Sequence, residues 1–171
     1  MMADLQIRPE RPGDEDAIHD LTARAFETMP YSSGTEPAII RALRASGDLA
    51  LSLVAEQDGR IIGHVAFCPV GIDGVSDGWF GLGPISVLPE MQRRGIGKRL
   101  IHEGLERLKA MQAKGCALIG APEVYRGSGF VSDGRLTYDG VDSQYVQFRV
   151  LAGAPPIGRL DFPPAYGIAD G

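Results

Sequence analysis

The chain has 171 residues, 44% of them hydrophobic, and a formal net charge of −5. That length supports one soluble domain with a sizeable core, or one domain with a tail. No apolar run approaches the roughly 20 residues that cross a bilayer, and the acidic balance argues against a broad nucleic-acid-binding surface, which needs Lys and Arg to neutralise phosphates. Met1-Met2-Ala3-Asp4-Leu5-Gln6 lacks the apolar core of a secretion signal, so a cytoplasmic protein is expected. Cys68 and Cys116 are far apart and form no Cys-x-x-Cys pair, so two buried free thiols are expected and no metal site.

In chain order, Leu5 to Pro9 reads as a short strand. A helix follows, with Asp14, Glu15 and Asp16 at its start and Ile18, Leu21, Ala25 and Phe26 at helical spacing. The loop Pro30-Tyr31-Ser32-Ser33-Gly34 leads to a second helix with Pro37 in its first turn, Ile39, Ile40 and Leu43 on one face, and Gly47 at its end. Leu49 to Glu56 and Arg60 to Pro69 are β-rich runs around Gln57-Asp58-Gly59, a hairpin signal. Gly71 to Gly78 is a turn region, and Trp79 to Leu88 is a strand whose glycines and Pro84 mark a bulge or a close backbone approach. The most periodic helix places Leu100, Ile101, Leu105, Leu108 and Met111 on one face and ends at Gly115. Cys116 to Gly120 is a buried strand and Pro122 to Arg126 a brief helix. Phe130 to Tyr138 and Gln144 to Val150 read as a closing antiparallel pair. Ala152 to Gly171, rich in Pro and Gly, reads as a tail without regular structure, yet Ile157, Leu160, Phe162 and Tyr166 are apolar enough to dock it on the domain of residues 1–150. The order βααβββαβαββ predicts an α/β (α+β) fold, a mixed and mostly antiparallel central sheet with helices on both faces. The crossover through the long helix makes its two flanking strands parallel neighbours.

One segment carries chemistry. Ile85-Ser86-Val87-Leu88-Pro89-Glu90-Met91-Gln92-Arg93-Arg94-Gly95-Ile96-Gly97-Lys98 runs from a strand into a helix start. A helix N-terminus offers unpaired N–H donors and partial positive charge, and Gly95 and Gly97 let the backbone close around phosphate oxygens. Arg93, Arg94, Lys98 and Arg99 concentrate positive charge in an acidic chain, which suits a compact anion such as pyrophosphate. A P-loop is excluded because Gln92 stands five before Gly97 and Arg99 follows Lys98. Leu100 takes the place of the third glycine of a dinucleotide fingerprint, and Glu106 that of the second zincin histidine.

Gln92-Arg93-Arg94-Gly95-Ile96-Gly97 resembles the Gln/Arg-x-x-Gly-x-Gly/Ala signature of the GNAT superfamily of N-acetyltransferases, and Ile85-Ser86-Val87 resembles its cofactor-facing strand. Downstream, Tyr125-Arg126-Gly127-Ser128-Gly129-Phe130 is similar to the family's Tyr-x-x-x-Gly-Phe. Gly63-His64-Val65 and Gly120-Ala121-Pro122-Glu123 are similar to its bacterial YhbS-like subgroup. Val124 stands where that subgroup has a second aromatic, and Ser128 where a bulky residue is common, which affects the acceptor pocket and not the anion loop.

The resemblance covers roughly Leu5 to Val150 and implies acetyl-CoA as co-substrate, no metal, and direct transfer to a primary amine of a small molecule or protein. It implies cofactor binding by Ile85, Ser86 and Val87 and by Gln92, Arg93, Arg94, Gly95, Ile96, Gly97 and Lys98. The Val87 N–H would face the thioester carbonyl, as in an oxyanion hole. Tyr125 is the candidate general acid for the departing thiolate, or else a wall of the pocket. Three candidates for the base stay open. His64 could titrate near neutrality or be a satisfied sheet histidine, Glu36 could border the acceptor or be a solvated helix carboxylate, and a water chain could replace both. The alternative class is a non-catalytic acyl-CoA-binding regulatory module. No feature sets the oligomeric state, and a homodimer is compatible with the sequence. No partner membrane or nucleic acid is indicated.

Overall fold

The computed structural model describes residues 4–30 and 32–170; Met1 to Ala3, Tyr31 and Gly171, which fall within the readings above, lie outside the described residues. A six-stranded sheet in the order β1-β2-β3-β5-β6-β8 organises the chain. Its strands are β1 (Gln6–Pro9), β2 (Leu51–Gln57), β3 (Arg60–Pro69), β5 (Trp79–Val87), β6 (Gly115–Ile119) and β8 (Val146–Val150). Every neighbouring pair is antiparallel except β5 and β6, which are parallel, as a helical crossover requires. The β2–β3 hairpin turns through Asp58 (φ 53°) and Gly59 (φ 74°), the doubly positive geometry that an Asp-Gly pair accepts.

Helices cover both faces. On one lie α1 (Glu15–Glu27) and α2 (Glu36–Ser46), and Ile18 and Ile40 from them bury against Val54 of β2. On the other lies α3 (Ile96–Ala110). A Cβ at Gly63 would stand 3.1 Å from Leu100 and 3.2 Å from Ile96, and one at Gly104 would overlap the Phe67 ring. Glycine at both positions brings α3 close onto β3, and this sets the height of its N-terminus above the sheet. The helix stops at Ala110, short of Gly115, because Gln112 turns the chain at φ 63°. Met111, grouped above with the buried face, is therefore a half-exposed cap residue.

Two readings need correction. Phe130 to Tyr138 and β8 do not form an antiparallel pair: only the bridge Val131–Phe148 joins them, and β8 pairs with β6. Asp133 and Gly134 (φ 83°) put a turn in the middle of that segment, with the Asp133 carboxylate accepting from the Arg135 N–H at 2.9 Å. The C-terminal segment has regular structure. Strand β9 (Gly158–Asp161) lies between β4 (Gly71–Ile72) and β7 (Leu136–Thr137) in a second small sheet, and a 3-10 helix spans Pro164–Asp170. Leu160 is fully buried and Phe162 and Tyr166 join a core cluster with Trp79 and Leu136, whereas Ile157 is exposed. No helix is long and apolar enough to cross a membrane among the described residues.

Candidate acyl-transfer site

Strand β5 lies between two neighbours but is paired on both sides only at its start. Trp79, Phe80 and Gly81 pair with Gly115, Cys116 and Ala117 of β6; from Leu82 onward the two strands are no longer bonded. Gly83, Pro84, Ile85 and Val87 are consequently only half-buried in the middle of a sheet. Pro84 has no N–H for the ladder, and the β3–β5 register slips between Val65 and Phe67, opposite Gly83 and Pro84. Beyond the slip, the Leu88 N–H bonds to the Ile62 carbonyl at 3.0 Å. With His64 opposite Ser86 and Gly63 opposite Val87, antiparallel alternation directs the N–H and C=O of Ile85 and Val87 away from β3, into the gap. An extended chain laid in that gap finds backbone partners as another strand would.

The gap leads to the glycine loop. After a 3-10 turn at Pro89–Met91 the chain passes through Arg93 (φ 64°) and Gly95 (φ 81°) and enters α3 at Ile96. Gly95 caps the helix without a side-chain hydrogen bond, so the first-turn amides are left for a ligand. A Cβ on Gly97 would touch nothing nearer than Val87 Cγ2 at 4.0 Å, so the space above this amide is open and a side chain would fill it. Arg93, Arg94, Lys98 and Arg99 are exposed, and none makes an ion pair among the described residues. These features fit a pyrophosphate.

Two predicted contacts act differently from a direct grip. Gln92 Nε2 donates to the Val87 carbonyl at 3.1 Å, tying loop to strand. The Ile96 side chain is buried in the core, so only its backbone faces the anion position.

Tyr125 stands at the end of β6, the strand that borders the gap on its other side. It ends α4 (Pro122–Tyr125), and its ring folds back to the end of β6, where a Cβ on Gly120 would stand 2.6 Å from its Cε2. Phe130 meets the ring edge-on at 6.2 Å, so both ends of the Tyr-x-x-x-Gly-Phe motif pack together. Lys98 Nζ lies 3.7 Å from the place of a Cβ on Gly127, which brings the first turn of α3 beside the end of α4. The phenol is held above its ordinary pKa by burial and makes no hydrogen bond among the described residues, so its proton is available.

His64 is not brought to this gap. His64 is fully buried on the face carrying α1 and α2, and burial pushes its pKa down to about 4, against the expectation of titration near neutrality. A chain that sequence reasoning missed fixes its tautomer. Arg44 grips Glu10 through Nε and Nη2 at 2.8 and 2.9 Å, and Ser52 Oγ donates to Glu10 at 2.6 Å. Ser52 has then spent its only proton, so its 2.8 Å contact with His64 Nε2 makes that nitrogen the donor. The lone pair sits on Nδ1, which is buried without a partner, like Oγ of Ser86 directly opposite. Glu36 Oε1 accepts from Ser32 Oγ at 2.7 Å at the start of α2. Residues this far apart in sequence carry no local signal of such a chain.

Thiol chemistry has no support. Burial raises the Cys68 thiol to about 11 and raises Cys116 further, so neither is a ready thiolate. Among the described residues no three His, Cys, Asp or Glu side chains are grouped to hold a metal. Two surface clefts, of about 500 Å³ between β1 and α3 and about 420 Å³ beside the β2–β3 hairpin, are lined by neither Tyr125 nor residues 82–87. Backbone left unpaired by β6, and not concavity, singles out the gap.

The same architecture occurs in proteins of known class. A GNAT family acetyltransferase from Brucella melitensis, solved in complex with acetyl-CoA, superposes with a TM-score of 0.86 at 42% identity, covering 95% of this chain and 98% of the other. The Escherichia coli N-acetyltransferase YhbS, solved with CoA, gives 0.88 at 29% identity over 95% of this chain and 92% of that one. By sequence, YhbS of E. coli K12 is 34% identical over 151 residues, 85% of this chain and 87% of the relative. The acetyltransferase (GNAT) family model matches residues 16–130, a span running from α1 through the opened strand and the glycine loop to Phe130. The chain belongs to the GNAT family of acetyltransferases.

Proposed function

We propose that this protein moves an acetyl group from acetyl-CoA directly to a primary amine of a small molecule or protein. The observation that carries this reading is the opened β5–β6 edge, with a glycine-lined helix start at one end and an unbonded phenol at the other. The family and the acetyl-CoA in the Brucella relative support the choice of donor.

The pantetheine arm would lie against Ile85 and Val87 with the pyrophosphate on the amides at Gly95–Lys98, rimmed by Arg93 and Arg94. The neutral amine nitrogen adds to the thioester carbonyl carbon, and the Val87 N–H stabilises the charge that develops on oxygen. The carbon–sulfur bond then breaks. The thiolate takes the Tyr125 phenol proton, which solvent restores, and the nitrogen gives its proton to water or to Glu36. A neutral, buried His64 is too weak a base for that step. The net charge of −5 favours a cationic acceptor by steering.

Incubation with acetyl-CoA and a panel of primary amines, with free thiol followed against time, tests the reading. Amine-dependent thiol release with a matching acetylated product is expected. Acetyl-CoA binding without release for any amine would leave a non-catalytic acyl-CoA-binding module instead.

A further inference from the structure

The end of the chain docks on β5 where its pairing with β6 stops. Gly81 is the last β5 residue paired to β6, opposite Ala117. A Cβ there would fall 2.7 Å from the Phe162 ring and 2.8 Å from Val70, so glycine is what admits the ring. Two residues on, the Tyr166 hydroxyl donates to the carbonyl of Gly83. The rings of Phe162 and Tyr166 pack at 4.8 Å between centroids, and the Cys68 sulfur lies 3.7 Å from the phenol oxygen. Both residues belong to one short segment, yet they meet β5 on either side of the point where the sheet divides.

At Gly83 and Pro84 the strand has fewer ladder partners than on either side. Gly83 has no side chain to pack, Pro84 gives no N–H, the register with β3 slips there, and β6 has separated. A carbonyl in such a stretch has few other restraints on the tilt of its peptide plane, and the planes that follow inherit that tilt. Two and four residues along stand the peptide groups of Ile85 and Val87 that face the gap.

We infer that Tyr166 is a positioning residue of the transfer site: by holding the Gly83 carbonyl it sets the orientation of the Ile85–Val87 backbone against the thioester. This rests on the acetyl-transfer reading above. It assigns the C-terminal segment a part in the reaction, where docking alone would make it a cover for the core.

Tyr166→Phe removes one hydroxyl and keeps the ring on Phe162. A fall in kcat on the order of ten- to hundredfold is expected, the range that a small misplacement of reacting groups produces. CoA affinity, set at the glycine loop, should change by less than about twofold. Phe162→Leu is the comparison, since it loosens the same docking without touching the hydroxyl, and it should lower Tm while leaving kcat near wild type. Amide hydrogen exchange gives a readout independent of turnover. The Ser86 and Leu88 amides, which bond to β3, should exchange faster in Tyr166→Phe, with β1 and β2 unchanged. A Tyr166→Phe protein with wild-type kcat, or with wild-type exchange at these amides, overturns the inference. So does a loss of kcat matched by Phe162→Leu. If wild-type protein releases no thiol with any amine, the acetyl-transfer reading fails instead, and the exchange result still decides whether the hydroxyl holds the strand.

Discussion

Tyr125 packs at the end of β6 because Gly120 leaves room for its ring, and burial keeps its proton on. Its packing needs the ring and the proposed proton transfer needs the hydroxyl, so Tyr125→Phe separates the two. General acid catalysis is typically worth about 10²–10⁴-fold, and kcat should fall within that range. Acetyl-CoA affinity should shift by less than about 1 kcal/mol, because the proposed anion contacts lie elsewhere. Steady-state kinetics beside direct titration of acetyl-CoA checks both. Wild-type turnover would reduce the phenol to a wall, and equal losses of affinity and turnover would make it a binding residue. The packing of Tyr125 against Phe130 was legible because both lie in one local motif. The seclusion of His64 was not, since its partners Ser52, Glu10 and Arg44 come from two other strand regions and a helix. A histidine in a strand looks the same in sequence whether it faces a pocket or a sealed network.

At the scale of elements, the strand–loop–helix from Ile85 to Lys98 combines two devices that a single glycine substitution can distinguish. Gly95 sits at φ 81°, so any side chain there strains the turn itself. Gly97 lies in the helix with open space beside it, so a side chain there would meet little of the protein and would occupy the proposed anion position. Gly97→Val should therefore fold normally yet weaken CoA by about 2 kcal/mol or more, through the amide that can no longer reach a phosphate. Calorimetry with a folded variant of unchanged CoA affinity would move the anion site elsewhere. Elements closed by nearby chemistry were readable in advance, as the Asp58-Gly59 hairpin and the Gly47 helix end show. Strand β9 was not, because its partners β4 and β7 are distant in sequence and its own segment is dominated by Pro and Gly. A strand of four residues takes its conformation from the edge it joins.

Across the whole molecule, the buried polar network makes stability depend on pH in one direction. His64 is neutral in the fold, with a pKa near 4 against 6.5 in an exposed chain, because burial disfavours the cation more than Glu10 favours it. Between those values the unfolded chain binds a proton that the folded one refuses, so stability is complete above about pH 6.5 and falls as pH drops toward 4. The full shift corresponds to roughly 3 kcal/mol. Two carboxylates add to the loss at lower pH. Burial raises the Glu10 pKa, but hydrogen bonds from Arg44 and Ser52 outweigh it and leave Glu10 below its ordinary range. Asp14 is lowered chiefly by its hydrogen bond from Arg8. Their contributions are present above the usual carboxylate pKa and vanish as pH falls through the depressed values, so they follow the histidine. Urea unfolding at a series of pH values should therefore show stability declining already between pH 6.5 and 5, before carboxylates titrate. His64→Gln, which keeps an N–H to give Ser52 but cannot take up a proton, should flatten that early decline and leave the steeper loss at lower pH. A wild-type protein equally stable at pH 7 and 5 would mean that His64 is charged, or hydrated, in the folded state, and the unpartnered lone pair assigned to Nδ1 would have to be revised with it.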